Sequence, residues 1–166
     1  MNIHEYQAKQ ILNRNGIKIP KGKIAYTAEE ARRAAKAVTA KGPWVLKAQI
    51  QSGARNSGRF LEPRAGSRGG IRLVHSLKDL FVEAEAMLGS TLVTKQTGAK
   101  GKLVSRVYVE AYNKVGFTFY AGMAIDRTLP AVTLLLANTR DDDINTIAES
   151  DPNRIFRLPL DLVTGP

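Results

Sequence analysis

Two places in this 166-residue chain carry groups suited to holding an anion, and a third carries a carboxylate suited to accepting hydrogen bonds. Lys47 lies in the middle of Trp44-Val45-Leu46-Lys47-Ala48-Gln49-Ile50, a stretch with strand character. A few residues on, Gly53-Ala54-Arg55 opens a glycine-rich segment, and Glu110 lies on a later strand-like run. A strand holds an ammonium rigidly, glycine-rich backbone can turn its N–H groups toward phosphate, and arginine adds a bidentate donor. Each feature also has a plainer reading. A mid-strand lysine can pack its stem and carry its ammonium out to water. Glycine- and arginine-rich loops can simply be mobile. Glu110 can be a solvated sheet-face carboxylate instead of an acceptor for ribose or adenine. The residues by themselves leave both sets of readings open.

Other chemistries find less support. His4 and His75 are the only histidines and sit in unrelated contexts, which argues against a histidine metal site or a histidine-dependent triad. With no cysteine there is no disulfide framework, thiolate metal site or cysteine nucleophile. The acidic run Asp141-Asp142-Asp143 reads as the N-terminal cap of a short helix rather than a cation site. No catalytic residue and no metal ligand is assigned. Arg55, Arg59, Arg64, Arg68 and Arg72 recur through the glycine-rich segment 51–72 with Glu62 as the only acid. That segment lacks the interleaved aromatics of a nucleic-acid module.

The elements that must position these residues can be read from periodicity. Helices are expected over 3–15, with Ile3, Tyr6, Ile11 and Leu12 on one face, over 28–40 behind a Thr27-Ala28-Glu29-Glu30 capping box, and from Ser76 to Met87. Strands are expected at 44–50, 71–74, 91–94, 105–111, 117–125, 131–136 and 155–160. In the first of these Trp44, Leu46, Ala48 and Ile50 share a face opposite Val45, Lys47 and Gln49. In the fifth, Phe117, Phe119, Ala121, Met123 and Ile125 form the inward face of a half-buried strand. Helix–strand alternation followed by a strand-rich stretch predicts an α+β fold with a substantial antiparallel sheet. The net charge of +10 is uneven: residues 1–74 hold 15 basic and 4 acidic side chains, residues 75–166 hold 10 and 11. That asymmetry points to an anionic partner for the first half. No apolar run approaches a membrane span and the opening residues lack signal-peptide character, so a cytoplasmic or mitochondrial matrix location is expected.

The sequence resembles one family through several colinear motifs. Met1-Asn2-Ile3-His4-Glu5-Tyr6-Gln7-Ala8-Lys9, the Trp44–Ile50 strand, Gly69-Gly70-Ile71-Arg72, and Leu88-Gly89 with Leu92–Gly98 are similar, in order, to the β subunit of succinate–CoA ligase. Val109-Glu110, Asp126-Arg127 and the closing Asp161-Leu162-Val163-Thr164-Gly165-Pro166 continue the match over essentially the whole chain. The resemblance implies an ATP-grasp fold of two small lobes, with residues 1–166 a partial ATP-grasp domain that lacks its second half and the CoA-ligase domain. It implies a part in acid–thiol ligation: acyl-CoA formation with ATP or GTP through a phosphohistidine on a partner α subunit, the isolated chain being inactive. Carried over by position, Lys47 would bind phosphate, Gly53, Ala54 and Arg55 would form the glycine-rich loop, and Glu110 would face the nucleotide. Mg²⁺ would be held only if the missing half were supplied.

The departures from the family pattern cluster around the expected nucleotide. Gly-Gly-Arg-Gly-Lys is replaced by Gly53-Ala54-Arg55-Asn56-Ser57, a preceding histidine by Gln51, Glu-Leu-Tyr by Thr118-Phe119-Tyr120, and Thr-Glu-Gly-Gly by Thr139-Arg140-Asp141-Asp142. Nucleotide binding is therefore expected to be weak or lost, with Lys47 and Arg55 as its main contacts. The alternative expectation is a degenerate relative serving as a structural subunit, its arginine loop docked on an acidic protein or RNA surface of a larger assembly.

Overall fold

In a computed structural model, the structure describes residues 3–114, 116–126, 131–138 and 144–160. The acidic run 141–143 and the closing 161–166, on which sequence expectations were placed, lie outside these, as do Arg127, Thr139 and Arg140. The chain divides into two compact units, Met1–Asn113 and Lys114–Pro166.

The first unit is built on an antiparallel sheet of β1 (Gly22–Ala25), β7 (Val107–Ala111), β2 (Trp44–Ala48) and β4 (Ile71–Val74), in that order. Alternation along β2 gives the sheet two different faces. Trp44, Leu46 and Ala48 are buried, and register places Leu46 beside Val109 and Ala48 beside Val107 on the same side. Helices α2 (Ala28–Val38) and α3 (Leu77–Met87) cover that side with Ala31, Ala34, Ala35, Leu80, Ala84 and Met87 in one continuous core. Small alanines let α2 lie close to the sheet, and the Trp44 indole N–H donates to the Ala35 carbonyl at 3.0 Å. The caps form as their residues demand. Thr27 Oγ1 accepts from the Glu30 N–H at 3.1 Å and Ser76 Oγ from the Asp79 N–H at 3.0 Å. Gly89 ends α3 with φ +74°.

The other face of this sheet carries Val45, Lys47, Tyr108 and Glu110, with α1 (Glu5–Arg14) supplying partners for the charged ones. The apolar face expected for α1 does not form a core contact. No residue of α1 is fully buried, and Ile11 and Leu12 are exposed. Polar side chains hold the helix instead.

The glycine- and arginine-rich segment is ordered rather than mobile. It contains β3 (Arg59–Phe60), which pairs with β5 (Thr91–Val93), itself paired with β6 (Lys102–Leu103), and a 3-10 turn at Pro63–Ala65. Arg72 on β4 is the staple. Its guanidinium is buried, pairs with Glu83 of α3, donates to the carbonyls of Ala65 (2.6 Å), Gly69 (3.0 Å) and Arg68 (3.0 Å), and lies over the Phe60 ring at 5.3 Å. Burial, with the neighbouring Arg68 charge, lowers its pKa to about 10, so it stays charged at neutral pH. Arg68 also pairs with Glu83, Arg64 donates to the Leu88 carbonyl at 2.8 Å, and Arg55 turns into the sheet's polar face. Four of the five arginines expected to reach outward to a partner therefore make bonds within the first unit.

The second unit is a three-stranded antiparallel sheet of β8 (Tyr120–Asp126), β9 (Ala131–Ala137) and β10 (Ile155–Leu160), in the order β10-β9-β8, with α4 (Ile144–Ser150). The period-2 pattern of β8 is correct, but its inward and outward sides are reversed from expectation. Ala137, Ile155 and Ile147 are the buried cluster, with Tyr120 packed on it. Met123 and Ile125 are exposed, as are Phe117 and Phe119.

Gly69 is where the loop's backbone approaches itself most closely: a Cβ there would stand 1.9 Å from the Asn56 carbonyl oxygen. Backbone cannot rotate away as a side-chain tip can. Gly69→Ala is expected to lower the stability of the first unit by roughly 2–3 kcal/mol or more, the upper part of the range for overpacking, read as a fall in the urea midpoint.

Candidate functional site

The polar face of the first unit gathers three cations and two carboxylates. Lys47 Nζ lies 3.0 Å from Glu5 Oε1 and 2.5 Å from Glu110 Oε2. Lys9 pairs with Glu110, and lies 3.3 Å from Glu5 one helical turn away. Arg55 places one guanidinium nitrogen 2.6 Å from Glu5 Oε2 and the other 2.7 Å from the Ala48 carbonyl. Gln49 ties the helix to the strand: its Oε1 accepts from the Tyr6 N–H at 3.3 Å while its Nε2 donates to Glu5 at 3.4 Å. Lys9 also stands over the Tyr108 ring at 5.6 Å.

Local structure explains each position. β2 and β7 are adjacent, and Lys47 pairs in register with Tyr108, two residues before Glu110 on the same face. The two side chains therefore meet diagonally. The loop after β2 returns Arg55 to this face, because the Arg55 carbonyl accepts from the N–H groups of Gly70 at 2.8 Å and Gly58 at 3.3 Å. The Gly70 carbonyl in turn accepts from the Ala48 N–H at 2.7 Å. Ahead of it, the Gly53 N–H donates to Gln96 Oε1 at 2.7 Å and Ser52 Oγ lies 2.6 Å from Thr94 Oγ1. A cleft of about 430 Å³ opens here, lined by Glu5, Gln51, Ser52, Gly53, Arg55 and Gln96 among others.

Electrostatics follows from the geometry. Burial acts to raise the Glu5 pKa, but the charge of Lys47 and the contacts of Arg55 outweigh it and hold the carboxyl at about 2. Burial likewise acts to lower the Lys47 pKa, and is overcome by Glu110 and Glu5, so the ammonium titrates above its usual range. Burial, with the charges of Glu110 and Glu5, raises Tyr108. Glu5 and Lys47 are therefore both charged at neutral pH. Among the described residues no three of His, Asp and Glu converge as metal ligands. Glu5 and Glu110 are already held by cations, so the donor set does not fit Mg²⁺.

The structure brings Lys47, Gly53, Ala54, Arg55 and Glu110 into one unit and places Lys47, Arg55 and Glu110 in one charge cluster. It corrects two plain readings. The Lys47 ammonium is ion-paired rather than carried out to water, and Glu110 is 4% exposed, so it is not a solvated sheet-face carboxylate. Glu5, Lys9, Gln49 and Gln96 were not foreseen. The Glu5–Lys9 spacing of four was the available signal for the first two, since it puts opposite charges on one helix face.

Ala54 has φ +53°, a left-handed conformation that Cβ disfavours and glycine does not. Ala54→Gly is expected to stabilise the first unit by about 1 kcal/mol, measured by chemical denaturation. The depressed Glu5 pKa gives a second expectation. A carboxyl whose folded value lies below its unfolded one stabilises fully above the unfolded value, and that contribution is lost as pH falls toward the folded one. Stability should therefore decline from about pH 4.5 to about 2 through this group, and the unfolding midpoint of Glu5→Gln should be flatter across that window.

The ATP-grasp domain family model matches residues 2–166. Among curated proteins, the chain is 45% identical over 166 residues to the Succinate--CoA ligase [ADP-forming] subunit beta of Rhodospirillum rubrum and 40% identical to that of Bartonella tribocorum. Each alignment covers 99% of this chain and 41% of the relative, so the chain spans about two fifths of the length of these proteins. Among solved structures, ATP citrate lyase from Methanothrix soehngenii superposes with a TM-score of 0.63 at 13% identity, over 99% of this chain and 36% of that one. The dinucleotide-forming acetyl-coenzyme A synthetase 1 of Ca. Korarchaeum cryptofilum gives 0.58 at 16% identity, over 82% and 53%. These two likenesses bear on the fold, and it is the expected one: helices with antiparallel sheets in the α+β arrangement. The chain belongs to the ATP-grasp family, as a stretch similar to succinate–CoA ligase β subunits.

Proposed function

We propose that the first unit holds the phosphates of ATP through Lys47 and Arg55, as the nucleotide-binding portion of an enzyme that forms an acyl-CoA from a carboxylate and CoA. The observation that carries this reading is the pair of half-buried cations beside the Gly53–Arg55 loop, with Arg55 lining a polar cleft. Charged donors partly shielded from water and fixed in place can bind an anion with little reorganisation at that moment. The ADP-forming designation of the relatives favours ATP over GTP. On the same reading a partner α subunit supplies the phosphohistidine. Glu110, inside the cluster, fixes Lys47 and is a positioning residue rather than a direct contact to the nucleotide.

Docking on an acidic assembly through the arginine loop loses its main support. Arg55 and Arg72 direct their guanidiniums into the unit, and Arg64 and Arg68 each make one contact within it. Among the described residues no helix is long and apolar enough to cross a membrane.

Calorimetric titration with ATP, with and without Mg²⁺, tests the reading. Lys47→Ala is expected to weaken binding by roughly 10- to 100-fold, the equivalent of one charge-assisted hydrogen bond of about 1.5–3 kcal/mol. An affinity that ignores Lys47→Ala in a folded variant would put the nucleotide elsewhere.

A further inference from the structure

The two cations assigned above to phosphate are already engaged by a carboxylate. Glu5 Oε1 lies on Lys47 and Glu5 Oε2 on Arg55, so one side chain spans both donors as a bridging anion would. Its position relative to the cleft is what matters. Glu5 and Arg55 line the opening, whereas Lys47 and Glu110 are not among its lining residues and Lys47 is bonded to Glu5. An anion entering from the cleft meets Glu5 before Lys47. Glu110 is different: it is more buried than Glu5 and bonds Lys47 and Lys9 from the sheet. Removing Glu5 from the cations would leave Lys47 paired with Glu110 and Arg55 bonded to the Ala48 carbonyl, so the donors would keep their places.

The element that carries Glu5 is built to give way. Helix α1 buries none of its residues fully, and its named ties to β2 and the loop are polar: Glu5 to Lys47 and Arg55, and Tyr6 N–H and Glu5 to Gln49. A carboxylate tethered this way competes at the high effective concentration of an intramolecular group. A singly bridging small anion replaces it with little net gain. A chain of phosphates replaces the same two contacts and adds others along the cleft, where Ser52 and Gln96 present polar atoms.

We propose that Glu5 is a specificity-determining residue, an internal competitor that excludes small monophosphate-like anions from the Lys47–Arg55 site and admits polyphosphates. This rests on the phosphate-site reading above and says which anions that site accepts.

The test uses the full chain and two probes, orthophosphate and inorganic triphosphate, titrated by calorimetry into the parent, Glu5→Gln and Lys47→Ala. Glu5→Gln keeps the shape and the Gln49 contact while removing the charge. It is expected to bind orthophosphate and triphosphate each at least about tenfold more tightly than the parent, since either must displace the same Glu5 contacts, and orthophosphate thereby comes into the measurable range. Glu5→Asp, one methylene shorter and unable to span both cations, should fall between the two, and it carries the test if the Gln variant does not fold. Weaker binding of both anions to Glu5→Gln would overturn the proposal, since Glu5 would then be positioning the cations. Equal affinities in the parent and Glu5→Gln would overturn it as well. Triphosphate binding that survives Lys47→Ala is the separable failure of the underlying phosphate-site reading.

Discussion

Lys47 is an ammonium placed at the middle of a central strand, and the first unit is arranged around keeping it charged there. Taking a cation out of water costs several kcal/mol even after relaxation, and only well-placed opposite charge offsets that. Glu110 from the neighbouring strand and Glu5 from the N-terminal helix provide it, and they outweigh burial. Neither carboxylate is stable there without further cations. Glu110 takes Lys9 and Glu5 takes Arg55. The position of α1 and the path of the loop after β2 thus depend on one buried charge. Most members have two partners, Lys47 with Glu5 and Glu110 and Glu110 with Lys47 and Lys9, so the loss of one contact leaves the other in place.

The loop shows the same economy. A stretch with this much glycine and positive charge would ordinarily stay solvated, yet here the guanidiniums act as internal crosslinks. Arg72 gathers three carbonyls and Glu83, and Arg55 offers its own carbonyl to Gly58 and Gly70 while its side chain reaches Glu5. Planar, many-donor side chains can satisfy several backbone acceptors at once, which lysine cannot. Part of the charge excess of the first half is therefore structural. It orders the loop that presents Arg55, and its surface effect is correspondingly smaller than the net charge suggests.

What the sequence revealed and what it hid divide along physical lines. Elements with strong local signals were legible: β4 and α3 fall at their expected residues, and the Lys47 strand has its expected buried face. The short strands β1, β3 and β6 were not foreseen, because two to four residues carry no usable period and form by pairing with partners distant in sequence. Periodicity also cannot say which side of a strand the core will lie on. In β8, Met123 and Ile125 line up across the sheet with Leu134, Leu158, Val132 and Leu160, yet α4 packs on the opposite side at Ala137 and Ile155. In the site, residue types identified Lys47 and Arg55 as able to bind an anion and Glu110 as able to accept a hydrogen bond. They did not reveal that Glu5 already engages two of them, since that contact joins positions 42 and 50 residues apart.

This engagement changes what binding means at the site. In an open pocket, affinity reflects the attraction of an anion to cations less the cost of stripping both of water. Here the cations were partly desolvated and paired when the chain folded, so the relevant quantity is the difference between two anions competing for the same donors. Lys9, Lys47 and Arg55 exceed Glu5 and Glu110 by one charge, which leaves the site attractive to anions at a distance while its nearest donors are engaged. Exchange of that kind keeps absolute affinity modest, because the incoming group must first replace a good partner. The same cost falls on every anion that displaces Glu5, so a ligand with no more contacts than one carboxylate is left unbound while one with more contacts still wins. Tight binding and selective occupancy are separate properties, and a cation pair engaged by its own chain favours the second over the first.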